Sequence, residues 1–455
     1  MISDSSESQW TTSSLARFAD RLEVEDIPEP VLEKAADCVL DLMAAAIGGF
    51  HSSAGRAARG FGSGFFPPGP AGIWFQSAAS SQAGAAMVNA ATSSALDLDD
   101  GHRAAGGHPG AAIIPAALAE AQSVGADGRR FLTAVVIGYE IAVRVAAARD
   151  LAALDTFSTG RWCGYGAAAA AGWLRGTDPE VLAHGLALAG IHAPIQSASA
   201  YSRLGHNAKE GIPWGVLTGL AALDLAQSGF SGPVDILDNE AYFNAHQIRQ
   251  DLGREWAIEQ IYFKPYSLCR WLHSAVEALT GLMSEHRLTA QTIDRIEVHT
   301  FRRALNLKNE TSPTTMEGAQ YSLPFGLAVA AHQGAAALLP LSSDLLGRSD
   351  LVDWAQRVSL FFDDKAEAAF PAQTIARVVL HSADRVFDRR VECPHGDPAN
   401  PFSRDDLEAK FNTVAEKYMP GRAAGELLRA VRGLVGGGLA PLSQSLSNEL
   451  KPRGA

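Results

Sequence analysis

The chain has 455 residues, 47% of them hydrophobic and 19% charged, and a formal net charge of −12. That length exceeds one ordinary core and predicts two domains. The acidic balance excludes a nucleic-acid partner, although a cleft can still focus a local positive field for an anionic ligand. Four scattered cysteines (Cys38, Cys163, Cys269 and Cys393) form no CxxC pair. This speaks against a zinc ribbon, an iron–sulfur cluster or a disulfide framework, and for a reducing, cytoplasmic compartment. The polar start, residues 1–12, has no basic segment before an apolar core, so no signal peptide is expected. No membrane span is expected either, since the apolar run at 167–174 is short and ends at Arg175.

In chain order, Val31, Ala35, Val39, Met43 and Ile47 recur every four residues and predict a helix over 30–47, ended by Gly48-Gly49. The cluster Gly60-Phe-Gly-Ser-Gly64 lacks the Lys-Ser/Thr ending of a phosphate loop and reads as an ordinary loop. An alanine-rich run at 83–95 and helical blocks at 111–124, 128–147, 164–175, 179–191 and 211–228 follow, with Asp178-Pro179 and Gly232-Pro233 as punctuation. After Phe263 the pattern changes. Alternation predicts strands at 292–301, 374–382 and 386–393, with Ala383-Asp384 as a turn and helices at 269–286 and 324–337. The helical period returns after Ser403, a predicted N-cap followed by Asp405, Asp406 and Glu408. The expected fold is mainly α. A large all-helical domain is built from both chain ends (1–265 and 400–455), with a smaller α+β lid at 266–399 whose helices cover one face of a small antiparallel sheet.

Three polar islands interrupt this pattern. The first is Leu96-Asp97-Leu98-Asp99-Asp100-Gly101-His102-Arg103 with Gly107-His108-Pro109-Gly110. Carboxylates and imidazoles are the side chains best suited to moving protons near neutral pH. Asp99, His102 and His108 are also metal-ligand types, but their spacing matches no metal motif. A plain structural reading has Asp97 or Asp99 capping the next helix and His108 as a packing residue. The second island, Ser202 to Gly211, places Lys209 just before an apolar helix, where it either meets a carboxylate in a cleft or lies solvated on a loop. The third runs from Lys264-Pro265-Tyr266 to Cys269-Arg270-Trp271-Leu272-His273. Arg270 and His273, three apart, share a helix face, and Trp271 and Cys269 argue against a surface helix start.

These islands, with Gly138-Tyr139-Glu140, Lys209-Glu210-Gly211, Gly229-Phe-Ser-Gly232-Pro233 and Tyr321-Ser-Leu-Pro324-Phe325 in this order, resemble the MmgE/PrpD family. Its activities include 2-methylcitrate dehydratase, cis-aconitate decarboxylase and iminodisuccinate epimerase. The resemblance implies a homodimer with an interdomain active site, a small polycarboxylate substrate and neither metal nor organic cofactor. It places active-site residues at Asp97, His108, Lys209 and His273. Its lyases carry threonine at Gly101 and His-Pro-Thr-Gly at Phe157-Ser158-Thr159-Gly160, so a hydroxyl and a proton carrier are missing here. That turns the expectation toward epimerisation of a carbon next to a carboxylate, which needs two opposed proton carriers and cations around an enolate-like intermediate. His108, oriented by Asp97 or Asp99, would serve one face and His273 or Lys264 the other. Lys209, Arg270 and Arg103 would hold carboxylates, and Tyr266 would add a donor. The alternatives are a lyase of the same family and a non-catalytic helical binding protein.

Overall fold

The computed structural model describes residues 10–155, 157–194 and 204–450. Most of the amino-terminal stretch, and Ser202 and Arg203 of the second polar island, lie outside the described residues. Among the described residues, nine long helices form the first part: α1 (Thr11–Arg21), α2 (Glu29–Phe50), α3 (Ser53–Phe65), α4 (Gln82–Ser94), α5 (Gly110–Val124), α6 (Gly128–Ala147), α7 (Cys163–Arg175), α8 (Pro179–Ile191) and α9 (Ile212–Gln227). Local chemistry sets their ends. Asp127 accepts from the Arg130 amide at 2.8 Å to cap α6, and Asp178 accepts from the Glu180 amide at 2.8 Å to cap α8. The left-handed residues Gly125 and Gly176 close α5 and α7.

Two expectations about glycine fail here. The helix α2 does not stop at Gly48-Gly49 but runs through both to Phe50, and Gly60 to Gly64 lie within α3 rather than in a loop. Glycine ends a helix only when nothing else requires it. A Cβ on Gly49 would lie 2.0 Å from the Thr92 carbonyl oxygen of α4, so this glycine lets two backbones cross. Gly49→Ala is therefore expected to cost about 3 kcal/mol of stability, the upper range for overpacking, read as a lower urea midpoint with an unchanged slope.

The largest apolar cluster joins residues between Leu15 and Phe263 to residues between Leu407 and Leu450. The returning segment enters through helix Arg404–Tyr418, which packs on α2 and starts with the predicted Ser403 cap, reciprocated by Asp406. A second cluster gathers residues between Leu268 and Phe387 around helices His273–His286 and Leu323–Gln333.

Two short ladders lie in the helical part, β1 (Ala71–Gly72) with β2 (Ala79–Ser80), and β3 (Gly101–His102) with β4 (Ile261–Tyr262). The four-stranded sheet has the order β6-β5-β7-β8, from β5 (Arg295–Thr300), β6 (Val358–Phe362), β7 (Ala376–Ser382) and β8 (Arg385–Val391). It is mixed, not antiparallel, because β6 lies parallel to β5 at the edge. Sequence reading missed β6 because its residues are exposed or half-buried and show no buried alternation. Among the described residues no helix is long and apolar enough to cross a membrane.

Candidate active site

The first polar island is a loop between α4 and α5, held at several points. Asp97 has φ of 53°, and its carbonyl accepts from Lys264 Nζ at 2.7 Å. The Leu98 carbonyl accepts from Lys410 Nζ at 2.8 Å. The Asp100 carboxyl accepts from the Gly110 amide at 2.9 Å and the Tyr139 hydroxyl at 2.7 Å. Glu210 also lies in the left-handed region, at φ of 48°, with its carbonyl taken by Ser158 Oγ at 2.8 Å. Such backbone costs about 1–3 kcal/mol per residue and persists where surrounding contacts over-determine it.

These anchors bring three carboxylates (Asp97, Asp99, Glu210) and three cationic groups (Lys209, Lys264, His108) to one buried place. Lys209 Nζ donates to Asp97 Oδ1 and, at 2.8 Å, to the Tyr321 hydroxyl. Lys264 Nζ is 3.2 Å from the same Asp97 oxygen and 3.4 Å from His108 Nδ1. His108 Nδ1 lies 2.9 Å from the Asp100 carbonyl oxygen and 3.3 Å from Asp99 Oδ2. His108 Nε2 is 3.6 Å from both Asp97 Oδ1 and Glu210 Oε1. Thr159 Oγ1 ties the set together, accepting from the His108 amide at 3.0 Å and donating to Glu210 Oε2 at 2.7 Å.

Burial alone would neutralise these groups, and their mutual attraction prevents it. Burial and Lys264 push the His108 imidazolium toward deprotonation, but Asp99 and Glu210 outweigh them and lift its pKa to about 10. Burial raises Asp97, yet Lys209, Lys264 and His108 hold it well below the usual carboxylate range. Glu210 is lowered against burial chiefly by His108, and Lys209 is raised well above its ordinary value against burial by Asp97. Asp100, buried and near Asp41, rises to about 7. Asp97, Asp99 and His108 offer metal-ligand atoms within 4.8 Å of one another. The Lys264 ammonium stands among them, where a divalent ion would meet like charge.

A cavity of about 1090 Å³ opens beside this cluster. His102, Arg103, His108, Glu210, Tyr262, Arg270 and Tyr321 line it, with Phe157, Trp271, Phe370 and Pro371 on a further part of the wall. Arg103 and Arg270 share one counter-ion, Asp397, at 2.6 Å and 2.9 Å, which leaves that pair with a net positive charge. Gly101 faces Tyr262 across the β3–β4 ladder, and a Cβ at 101 would lie 2.2 Å from the Tyr262 hydroxyl. The phenol occupies the space that a threonine at 101 would need.

Of the residues expected from sequence, Asp97, Asp99, His108, Lys209 and Lys264 come together, and His102, Arg103 and Arg270 share the cavity wall with His108. His102 is held neutral, its pKa lowered by burial to about 4. His273 and Tyr266 are not among the residues lining the cavity. His273 Nε2 donates to the Leu268 carbonyl at 3.0 Å, and Nδ1 accepts from Arg270 at 3.3 Å. Burial and then Arg270 lower the His273 pKa far below its ordinary value. Tyr266 packs its ring 5.1 Å from that imidazole, and burial pushes its phenol up to about 12. Sequence reading missed Glu210, Thr159, Tyr321, Tyr262 and Asp397 as site residues. For Glu210 the available signal was an acid wedged between Lys209 and Gly211, which marks an unusual backbone.

The raised His108 pKa predicts a signed pH dependence. Its contribution to stability is fully present below the ordinary histidine value of 6.5 and is lost as pH rises toward about 10. Asp97 acts oppositely, contributing above its ordinary 3.8 and losing that contribution in acid. Thermal unfolding midpoints should fall between neutral pH and pH about 10, with a shallower fall in a His108→Gln variant. Equal slopes in the two proteins would show that His108 is not the group responsible.

Comparison with known proteins agrees with this architecture. Residues 13–253 match the MmgE/PrpD N-terminal domain, and residues 266–434 match the MmgE/PrpD C-terminal domain. A cis-aconitate decarboxylase from Aspergillus terreus is 25% identical over 451 residues, with 90% of each chain covered. A cis-aconitate decarboxylase-like protein, oryM, from Aspergillus oryzae is 26% identical over 312 residues, covering 63% of this chain and 64% of the relative. With both domain models matched in order over most of its length, the chain belongs to the MmgE/PrpD family.

Proposed function

We propose that this chain is a cofactor-independent lyase that decarboxylates a small unsaturated polycarboxylate of the cis-aconitate kind. The observation that carries this reading is the state of His108. Its imidazolium lines the cavity, and its Nε2 lies 3.6 Å from two carboxylates, beyond hydrogen-bond length. That proton is held by charge yet engaged in no short bond. In the reaction, the bond from carbon to a carboxylate breaks and carbon dioxide leaves. The electron pair stays on carbon, delocalised toward a remaining carboxylate, and the Nε2 proton passes to that carbon. Arg103 and Arg270 supply positive charge for the remaining carboxylates. The Tyr321 hydroxyl, accepting from Lys209, keeps its own proton to donate to the developing anion.

Epimerisation is the second reading. It needs a carrier on each face of the reacting carbon. Lys264 and His108 are only 3.4 Å apart, and His273 accepts from Arg270 and does not line the cavity, so no second carrier faces His108 across it among the expected residues. The geometry therefore favours the one-sided chemistry. The test is turnover of cis-aconitate, 2-methylcitrate and iminodisuccinate in deuterated water, followed by NMR. Carbon dioxide with one deuteron placed in the product supports the lyase. Deuterium washed into recovered, stereochemically scrambled iminodisuccinate without carbon dioxide would replace it with the epimerase.

A further inference from the structure

We infer that the acid taken by this site carries an apolar arm, an alkyl or aryl substituent larger than methyl, in addition to its carboxylates. The inference rests on the polycarboxylate reading above and deepens it.

The cavity wall is chemically mixed. Around His108 it is charged and hydrogen-bonding, with Arg103, Arg270, Glu210 and Tyr321. Elsewhere three aromatic rings stand among charged side chains, with the Arg303 guanidinium 4.6 Å from the centre of the Phe157 ring. Phe157, Trp271 and Phe370 form a mutual triad, with ring centroids 6.0 Å (Phe157–Trp271), 6.2 Å (Phe157–Phe370) and 5.7 Å (Trp271–Phe370) apart. All three rings line the cavity, and Pro371 extends the patch. The triad starts close to the chemistry, because a Cβ on Gly106, two residues before His108, would touch the Phe157 ring at 3.1 Å.

The rings themselves offer a carboxylate no hydrogen bond or charge. Water against three rings is released when an apolar group covers them, and the gain scales with the area covered. Size points the same way. A cavity of about 1090 Å³ slightly exceeds the range, about 300–1,000 Å³, that encloses drug-sized ligands. A small tricarboxylate held at Arg103 and Arg270 leaves the three rings wet. An arm attached to the same carbon skeleton covers them while the carboxylates keep their charged partners.

The test is calorimetric titration of the whole chain with unreactive tricarballylate and with its propyl-, hexyl- and phenyl-substituted derivatives. The expected result is affinity rising about fourfold per buried methylene, 0.8 kcal/mol each, until the arm covers the three rings. In Phe157→His that slope should flatten, with circular dichroism and a thermal melt establishing that the variant is folded. Tricarballylate binding as tightly as, or more tightly than, every substituted derivative would overturn the arm while leaving the polycarboxylate reading intact. No binding by any member of the series would overturn both. Should Phe157→His not fold, a flattened slope in Trp271→Gln serves the same purpose, and an unchanged slope there counts against the arm.

Discussion

His108→Gln is expected to lower kcat by about 10²–10⁴-fold, the usual worth of a positioned proton donor, with a much smaller change in KM. Glutamine preserves a donor near the Asp100 carbonyl but has no acidic proton to give carbon. Asp99 and Glu210, which raise the His108 pKa to about 10, would then face each other with less positive charge between them. Steady-state kinetics on the substrate that turns over in deuterated water provides the check. A variant with wild-type kcat would remove His108 from the proton-transfer step, and the lyase mechanism would lose its acid. A rise confined to KM would instead make His108 a binding group.

The largest stability effect is expected at Lys410, far from His108 in sequence. Its ammonium is buried, 2.5 Å from Asp41 Oδ1 in α2 and 2.8 Å from the Leu98 carbonyl. Lys410→Met leaves the Asp41 carboxyl in the core without its counter-ion, and removing one partner of a buried pair costs about 3–5 kcal/mol. Burial already raises the Asp41 pKa against the pull of Lys410, so the stranded group would neutralise more readily in the variant. Chemical denaturation should show the loss, and a second change, Asp41→Leu, should recover much of it. A single variant as stable as the wild type would mean that the pair contributes nothing net. Activity is expected to fall as well, since Leu98 sits between Asp97 and Asp99 in the site loop.

The helices were legible because their apolar positions repeat along the chain, and α6 and α8 begin and end where the pattern puts them. Glycine was the ambiguous letter. Gly48-Gly49 carries the same two residues whether a helix stops or another backbone crosses it, and only the neighbour, Thr92, decides. In the site, Asp97, Asp99 and His108 stood out because charged groups are rare amid alanine helices. Glu210 and Asp397 did not, because their value comes from partners distant in sequence, His108 for one and Arg103 and Arg270 for the other. The shared helix face of Arg270 and His273 was correctly inferred from their spacing. Which of the two meets the cavity depends on packing that spacing does not encode.

The ammonium of Lys410 has a consequence for how the molecule matures. A ribosome that has released everything up to Ser403 has already synthesised Asp97, His108, Lys209 and Lys264, yet Asp41 and the Leu98 carbonyl still wait for their partner. The loop that carries Asp97 and Asp99 thus gains its Lys410 anchor only after the returning helix, Arg404–Tyr418, has been made.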